Sequence, residues 1–271
     1  MDTFMDIAEH ETWFFDYARR ERALETGDTG PIDLKIRHSR EVLATARAIV
    51  AESDMPPEQR RASLLAALYH DVARFEQYRR YRTFRDRESC NHGLEGVKIL
   101  KREKRLDGEG ALRPRILAGV GLHNRFALPE RLPGEIAQVT HVVRDADKLD
   151  ILRVMHENLC GPEPYHPTVV LGLPDDPGLV SEAVLAAARE GRVASYADLS
   201  SVNDLRVLLG TWLFDMHFPA SRRRFAAAGH ARQLLEGLPE DENYGGTRQF
   251  LLQDLAAMAE AGAGTTERGE P

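Results

Sequence analysis

Apolar positions recur at helical spacing along most of the chain. Many segments place apolar side chains at i, i+3, i+4 and i+7, a period typical of amphipathic α-helices. These segments are 42–50, 63–75, 92–103, 115–123, 136–155, 179–190, 204–218 and 246–260. Stretches rich in proline and glycine separate them, and the best strand candidate, 168–173, is short. The pattern therefore predicts an all-α fold.

The positions of the proline- and glycine-rich stretches suggest how the chain is organised. We expect an N-terminal helical extension over 1–30, a core over 31–157, and a loop with further helices, packed on that core, over 158–262. The composition of 263–271 predicts a disordered tail. The longest irregular stretch is 160–178, and loops of this length often serve as lids or binding loops.

Composition narrows the class of protein. The chain has 271 residues and a net charge of −7, so it lacks the basic footprint of a nucleic-acid-binding protein. No apolar stretch approaches the roughly 20 residues that span a bilayer, so a membrane is not expected as a partner. Residues 1–20 are acidic and amphipathic, unlike a signal peptide, and the two cysteines stand far apart. We expect a cytoplasmic protein, whose C-terminal half, rich in Leu and Ala, could also form a homodimer.

The pair His70-Asp71 stands in an otherwise apolar helical run. A buried carboxylate beside an imidazole is costly unless something compensates it, and a divalent cation does so. Further candidate ligands each lie in their own amphipathic segment: His38, His92, His123 and Asp147. The pattern predicts one metal site assembled from several helices.

The segments also suggest where each candidate lies. His38 precedes the apolar stripe of 40–50, so we expect it near the start of a helix. Asp145, Asp147 and Asp150 share one helix, and positions 145 and 147 point about 200° apart. We assign Asp147 as the ligand because we expect it in the more buried stripe. Asp145, the main alternative, and Asp150 compete with it.

Four histidines and two aspartates are about the ligand set of two adjacent cations, because imidazole suits transition metals and a carboxylate can bridge two ions. Asp71, adjacent to His70, is the natural bridging ligand. Two ions roughly 3.5–4 Å apart can activate a water molecule and stabilise the leaving oxygen of a phosphoryl group. The sequence alone leaves open whether one ion or two are bound.

The chain resembles the HD-domain superfamily of metal-dependent phosphohydrolases over roughly residues 30–155. The family pattern H…HD…D is matched by His38, by His70-Asp71 and by Asp147 in the segment ADKL. The resemblance implies an HD-like helical bundle, here with additional C-terminal helices. It also implies that these four residues hold one ion.

Two further histidines resemble the added ligands of the two-metal branch, which includes the HD-GYP cyclic dinucleotide phosphodiesterases and some oxygenases. They are His92 in NHGLEGVKIL and His123 in GVGLHNRFALP. The resemblance implies that they hold a second ion together with Asp71. The chain departs from HD-GYP proteins at Asn124, where that branch has a second histidine, and RFALP replaces Gly-Tyr-Pro. Cyclic dinucleotides are therefore not the expected substrates.

Basic residues supply candidates for binding an anionic substrate. Arg74 stands where the HD-GYP branch carries a lysine, and Lys148 follows Asp147. The segment 78–88 contributes Arg80 and Arg82, with aromatic rings available for stacking on a base. The alternative for this segment is a solvated basic loop, balanced by its own Asp86 and Glu88.

We therefore predict a phosphohydrolase that acts on a nucleotide or another small phosphorylated metabolite, with Asp71 and Arg74 as catalytic residues. The cofactor is one or two divalent ions: Mn, Fe, Ni or Mg. Two alternatives stay open. One is a diiron oxygenase, which would use the same six ligands, and the other is a regulatory module that binds metal or nucleotide without catalysis.

Overall fold

The computed structural model describes residues 6–161 and 169–263. Within these ranges all regular structure is helical, so the predicted all-α fold is confirmed. The α-helices are α1 (Ala8–Ala23), α2 (Gly30–Ala51), α3 (Pro57–Tyr69), α4 (Arg74–Tyr81), α5 (His92–Arg102), α6 (Arg113–Leu122), α7 (Gly134–Leu159), α8 (Glu182–Arg189), α9 (Val202–Thr211), α10 (Pro219–Ala227), α11 (His230–Glu236) and α12 (Gly245–Ala263).

Several sequence expectations concern the segments between or after these helices. The strand candidate forms turns over 169–172 rather than a strand. Residues 162–168 of the candidate lid, and 264–271 of the expected tail, lie outside the described residues. Among the helices that the structure describes, none combines the length and the apolar character needed to cross a bilayer.

The chain divides into two compact units, Met1–Asp150 and Ile151–Pro271, with the division inside α7. Our own boundary between 157 and 158 stays a prediction. All six candidate metal ligands belong to the first unit.

In the first unit, α3 is the central helix and contacts α1, α2 and α6. Every residue from Ala62 to Tyr69 is fully buried, because this stretch carries apolar or small side chains on all sides. The chain leaves α3 while still inside the core, and His70 and Asp71 are therefore buried as well.

The starts of two helices bear directly on the site. Pro31 lies in the first turn of α2, where its missing N–H is not needed, so the helix begins eight residues before His38. The expectation that His38 lies near a helix start is therefore wrong, and the residue lies mid-helix. Asn91 caps α5 by accepting a hydrogen bond from the Leu94 N–H at 3.0 Å, and His92 opens the helix as expected.

In the second unit, α9 is buried along its whole length and packs against α8, α11 and α12. Its Asp204 accepts a hydrogen bond from the Tyr244 hydroxyl at 3.1 Å. Because buried polar groups need partners, this contact fixes Tyr244 within the helical core of the unit.

Candidate metal centre

Asp71 lies at the centre of the predicted ligands. It follows α3 in a tight turn in which the Arg74 N–H donates to its carbonyl oxygen at 2.9 Å. The side chain is buried, and its two oxygens face different histidines. Oδ2 lies 3.5 Å from Nε2 of both His38 and His70, whereas Oδ1 lies 3.5 Å from Nε2 of His92. The carboxylate therefore stands between two groups of imidazoles.

The first group consists of His38 on α2 and His70, whose Nε2 atoms are 3.3 Å apart. Asp147 on α7 joins them, with Oδ1 at 3.0 Å from Nε2 of His38 and 3.7 Å from Nε2 of His70. Asp145 is fully buried, whereas the Asp147 side chain is 19 % exposed. Asp147 thus reaches the other ligands, but the expectation that it lies in the more buried stripe is wrong.

The second group consists of His92 and His123, at the start of α5 and just after the end of α6. Their Nε2 atoms are 3.0 Å apart. The two helices come close at Gly93, where a Cβ atom would lie 3.0 Å from the Val120 carbonyl oxygen and 2.8 Å from Oδ1 of Asn124. Glycine at this position therefore lets the two imidazoles meet.

Each of the four imidazoles has a partner on its Nδ1 side. His70 and His123 donate to the carbonyl oxygens of Ala67 and Val120, at 2.7 and 2.8 Å. Because a carbonyl can only accept, Nδ1 carries the proton and Nε2 presents a lone pair.

Carboxylates hold the other two histidines in the same way. Nδ1 of His38 lies 2.6 Å from Oδ2 of Asp150, and Nδ1 of His92 lies 2.7 Å from Oδ2 of Asp86. Metal-ligating histidines in proteins are oriented by such partners. All four Nε2 atoms are therefore turned towards Asp71.

Electrostatics support the same arrangement. Burial lowers the pKa of His70 and His92, and it lowers the pKa of His123 to about 3. Burial and the charge of Lys35 act on His38 in the same direction, but its hydrogen bonds to the carboxylates of Asp147 and Asp150 outweigh them and raise the pKa of that imidazole.

The central carboxylate is held in its charged form. Burial alone would raise the pKa of Asp71, but the positive charge of Lys35, then the neighbouring His70 ring and the positive charge of Arg74, bring the pKa well below its usual range. A charged Asp71 and imidazoles without a proton on Nε2 are the protonation states in which these residues would bind metal.

The chemistry and spacing of the donor atoms indicate whether they suit a metal ion. Two neutral imidazoles that face each other through lone pairs at 3.0 Å repel one another, and a cation between them removes that repulsion. Two sets each bring one ligand atom per residue within 4.8 Å of one another: His38, His70 and Asp71, and Asp71, His92 and His123. The residues therefore fit divalent transition-metal ions.

Two positively charged side chains, those of Lys35 and Arg74, lie next to the central carboxylate. Nζ of Lys35 lies 2.7 Å from Oδ2 of Asp71, and Nε of Arg74 lies 3.3 Å from Oδ1. Both cations also lie over the Phe84 ring, at 5.5 and 5.6 Å from its centroid. The sequence reasoning missed Lys35, although its position three residues before His38 places both on one face of α2.

The partners of the histidines were also missed. Asp150 was considered only as a rival of Asp147, although its spacing of three residues puts it on the same helix face. Asp86 was regarded only as part of a solvated basic loop. No pattern around Asp86 distinguishes it, because its contacts depend on how the segment after α4 folds back.

The structure does not bring Arg80 and Arg82 to this cluster. Nη2 of Arg80 pairs with Oε2 of Glu76 at 2.6 Å, and Arg82 pairs with Glu25. Lys148 is half-buried on α7, next to Asp147. Their predicted contribution to substrate binding stays a prediction.

A comparison with protein families agrees with this geometry. Residues 36–152 match the HD domain, a range that includes all six candidate ligands. The chain thus contains an HD domain, which supports its membership of the HD-domain superfamily, and HD domains bind divalent metals. Comparisons with curated proteins and with solved structures find no match.

Proposed function

We propose that this protein is a metal-dependent phosphohydrolase that cleaves a small phosphoester and uses two divalent ions. In this proposal one ion is held by His38, His70, Asp71 and Asp147. The other is held by His92 and His123 together with Asp71, which serves both.

A single observation carries the proposal. All four imidazoles have Nδ1 engaged by a partner and Nε2 turned to the two oxygens of one buried carboxylate. A histidine with a purely structural role needs only a hydrogen-bond partner for its ring. Four that converge in pairs, with Nε2 atoms 3.0 to 3.3 Å apart in each pair, are explained by a pair of cations.

When bound, two such ions lower the pKa of a water molecule and offset negative charge on a phosphoryl group. The remaining roles fall to the chain itself. Lys35 and Arg74 flank Asp71 and carry N–H donors that can bind phosphoryl oxygens, since Arg and Lys suit phosphate. The buried helices around Asp71 exclude bulk water, which strengthens these charge interactions.

The surroundings of Phe84 favour recognition through the phosphoryl group. Its ring already contacts Lys35, Arg74 and Tyr78, the last with ring centroids 5.3 Å apart. A base would have to displace these contacts in order to stack there. We therefore propose that binding rests mainly on the charge of the phosphoryl group, with nucleotides and phosphorylated metabolites both as candidate substrates.

Metal content and turnover test the proposal together. Protein purified without added metal is analysed for bound elements, as wild type and as Asp71→Ala, and then assayed with p-nitrophenyl phosphate, bis(p-nitrophenyl) phosphate and nucleoside monophosphates. We expect about two ions per chain in the wild type, their loss in the variant, and phosphoester hydrolysis with Mn²⁺, Ni²⁺ or Mg²⁺, read as phosphate from the monoesters and as p-nitrophenol from the diester.

The other outcomes separate the alternatives. The same donors suit two iron ions. A site filled with iron would favour oxygenase chemistry if the protein also consumed oxygen and hydrolysed none of the phosphoesters. Bound metal without turnover on any phosphoester would favour a regulatory module. A wild type that takes up no ion from Mn²⁺, Ni²⁺ or Fe²⁺ would overturn the proposal.

A further inference from the structure

We infer that Asp86 sets the affinity of the second ion and couples that ion to substrate binding at Arg74. Asp86 lies in the segment 82–91 that joins α4 to α5, which we name the Asp86 loop. The inference rests on the proposed function, because it requires two metal positions. In it, Asp86 is a positioning residue that acts through His92.

Asp86 holds the first residue of α5 by several contacts. Its Oδ2 lies 2.7 Å from Nδ1 of His92 and accepts from the His92 backbone N–H at 3.3 Å. Nδ2 of Asn124 donates to the same oxygen at 3.0 Å, next to His123. One carboxylate therefore fixes the ring plane and the tautomer of His92, and it also contacts the residue that follows His123.

The other oxygen of Asp86 contacts Arg74. Oδ1 lies 2.9 Å from Nδ1 of His92, and it also accepts from Nη1 of Arg74 and from Nε2 of Gln77, each at 3.1 Å. Arg74 in turn contacts Asp71 and donates to the carbonyl oxygen of Phe84 at 2.6 Å. The guanidinium that is proposed to bind phosphate is thus joined to the second metal position through one side chain.

The four histidines differ in how they are supported. His70 and His123 contact carbonyl oxygens of the helices that they follow, and His38 contacts Asp150, whose side chain is 2 % exposed on α7. Only His92, of these four, depends on a residue of a connecting segment, and the Asp86 side chain is 27 % exposed. The second position therefore has the less rigid support, so we expect it to bind its ion more weakly.

Thermodynamic linkage adds a second consequence. If a phosphoryl group shifts Arg74, it changes the contacts of Asp86 and thereby the affinity of His92 for its ion. Coupling between two binding sites is reciprocal. Inorganic phosphate should consequently change the affinity of the second ion through Arg74 and Asp86.

Titration of metal-free protein with Mn²⁺, in competition with a chromophoric chelator, tests the inference on the full chain. The variants are Asp86→Asn, which keeps the shape and removes the charge, and Glu88→Gln in the same loop. Glu88 is a matched control, because its side chain is 51 % exposed and contacts only Arg85 among the described residues. Thermal unfolding of the metal-free wild type and of both variants serves to check that each protein is folded.

We expect two ions of unequal affinity in the wild type and in Glu88→Gln. In Asp86→Asn the first ion should bind as before, and the second about 10- to 100-fold more weakly, the effect typical of groups that orient metal ligands. Phosphate should shift the second affinity in the wild type and much less in Asp86→Asn.

Specific results would overturn the inference. If Asp86→Asn bound each ion with the affinity of the wild type, the proposed role of Asp86 would be wrong. The same conclusion would follow if the variant lost affinity for both ions to the same extent. The phosphate experiment needs no variant, so a wild-type second affinity that ignores phosphate would by itself remove the coupling. A wild type that binds no second ion would instead contradict the proposed function on which the inference rests.

Discussion

Asp147 and Asp145 lie two positions apart on α7 and have different surroundings. Asp147 reaches Nε2 of His38 at 3.0 Å, whereas Asp145 is fully buried and turned to another side of the helix. The proximity of Asp147 to the imidazoles of the first group makes it the candidate ligand of the two.

We expect Asp147→Asn to weaken binding of the first ion by more than about 100-fold, beyond the effect of losing a group that only orients a ligand. Asp145→Asn should keep both ions and instead destabilise the fold by about 1–3 kcal/mol, the cost of disturbing a buried hydrogen-bonded group. Mn²⁺ titration and thermal unfolding measure the two effects. The opposite pattern would make Asp145 the ligand.

Lys35 and Arg74 allow a second prediction at this scale. Each places a positive charge beside Asp71, so Lys35→Gln should leave metal content intact, because it removes a charge that competes with the ions. Arg74→Gln should likewise keep the first ion, but it should change the affinity of the second ion through the lost contact with Asp86. A charge-assisted hydrogen bond is worth about 1.5–3 kcal/mol, so we expect kcat/KM for the best phosphoester to fall about 10- to 150-fold, mainly through KM.

Arg80→Gln and Arg82→Gln provide the comparison in the same assay, and they test the predicted substrate roles of both residues. Their guanidinium groups pair with Glu76 and Glu25 and are about half exposed, at 50 % and 49 %. Such pairs contribute about 0–1 kcal/mol, so we expect only small changes in KM. A large rise in KM for either variant would place that residue at the substrate.

The six candidate ligands could be proposed from residue type and order, but the partners that orient the histidines could not. His70-Asp71 is conspicuous because an apolar helix surrounds it. Asp86 and Asp150 are ordinary acidic residues in the sequence. Only the fold shows that Asp150, 112 positions from His38, meets its Nδ1. Contacts of such sequence separation depend on tertiary packing, which the local pattern does not encode.

At the scale of elements, periodicity predicted the type of structure and most of the helices. It missed the start of α2, because the segment 30–37 mixes Ile32, Leu34 and Ile36 with polar residues at a spacing that also suits a strand. The approach of α5 to α6 was not predicted either, because it depends on the absence of a side chain at Gly93.

Gly93→Ala tests that approach. The added methyl group would lie 3.0 Å from the Val120 carbonyl oxygen and 2.8 Å from Oδ1 of Asn124, so the two helices have to move apart. We expect a loss of about 1–3 kcal/mol in the free energy of unfolding, as is typical of overpacking. His92 and His123 separate with the helices, and the second ion should bind more weakly than the first.

Gly134→Ala is the matched control, because nothing lies within 4 Å of a Cβ atom at that position. Its stability should be unchanged or slightly higher, since alanine is favoured over glycine in helices. Unfolding in urea gives the free energies, and Mn²⁺ titration gives both affinities. Unchanged binding of the second ion in Gly93→Ala would show that the ligands tolerate the shift.

At the scale of the whole molecule, the candidate metal centre draws its residues from five segments of the first unit, which span positions 38 to 147. Ions that bind only the folded state stabilise it, by about 2.7 kcal/mol when the free metal is at 100 times its Kd. For a chain of this size, 1 kcal/mol corresponds to about 2–4 °C in Tm. We therefore expect Mn²⁺ to raise the midpoint of an unfolding transition by about 5–10 °C relative to protein in EDTA.

Differential scanning calorimetry of the full chain measures this shift, and the Asp71→Asn variant is its control. Asp71 serves both proposed ions, so the variant should unfold at the same temperature with and without Mn²⁺. All the ligands belong to Met1–Asp150. If the two units unfold in separate transitions, only that of the first should respond to metal. An equal shift in wild type and variant would mean that Mn²⁺ acts elsewhere on the protein, because the centre cannot bind both ions without the carboxylate between its imidazoles.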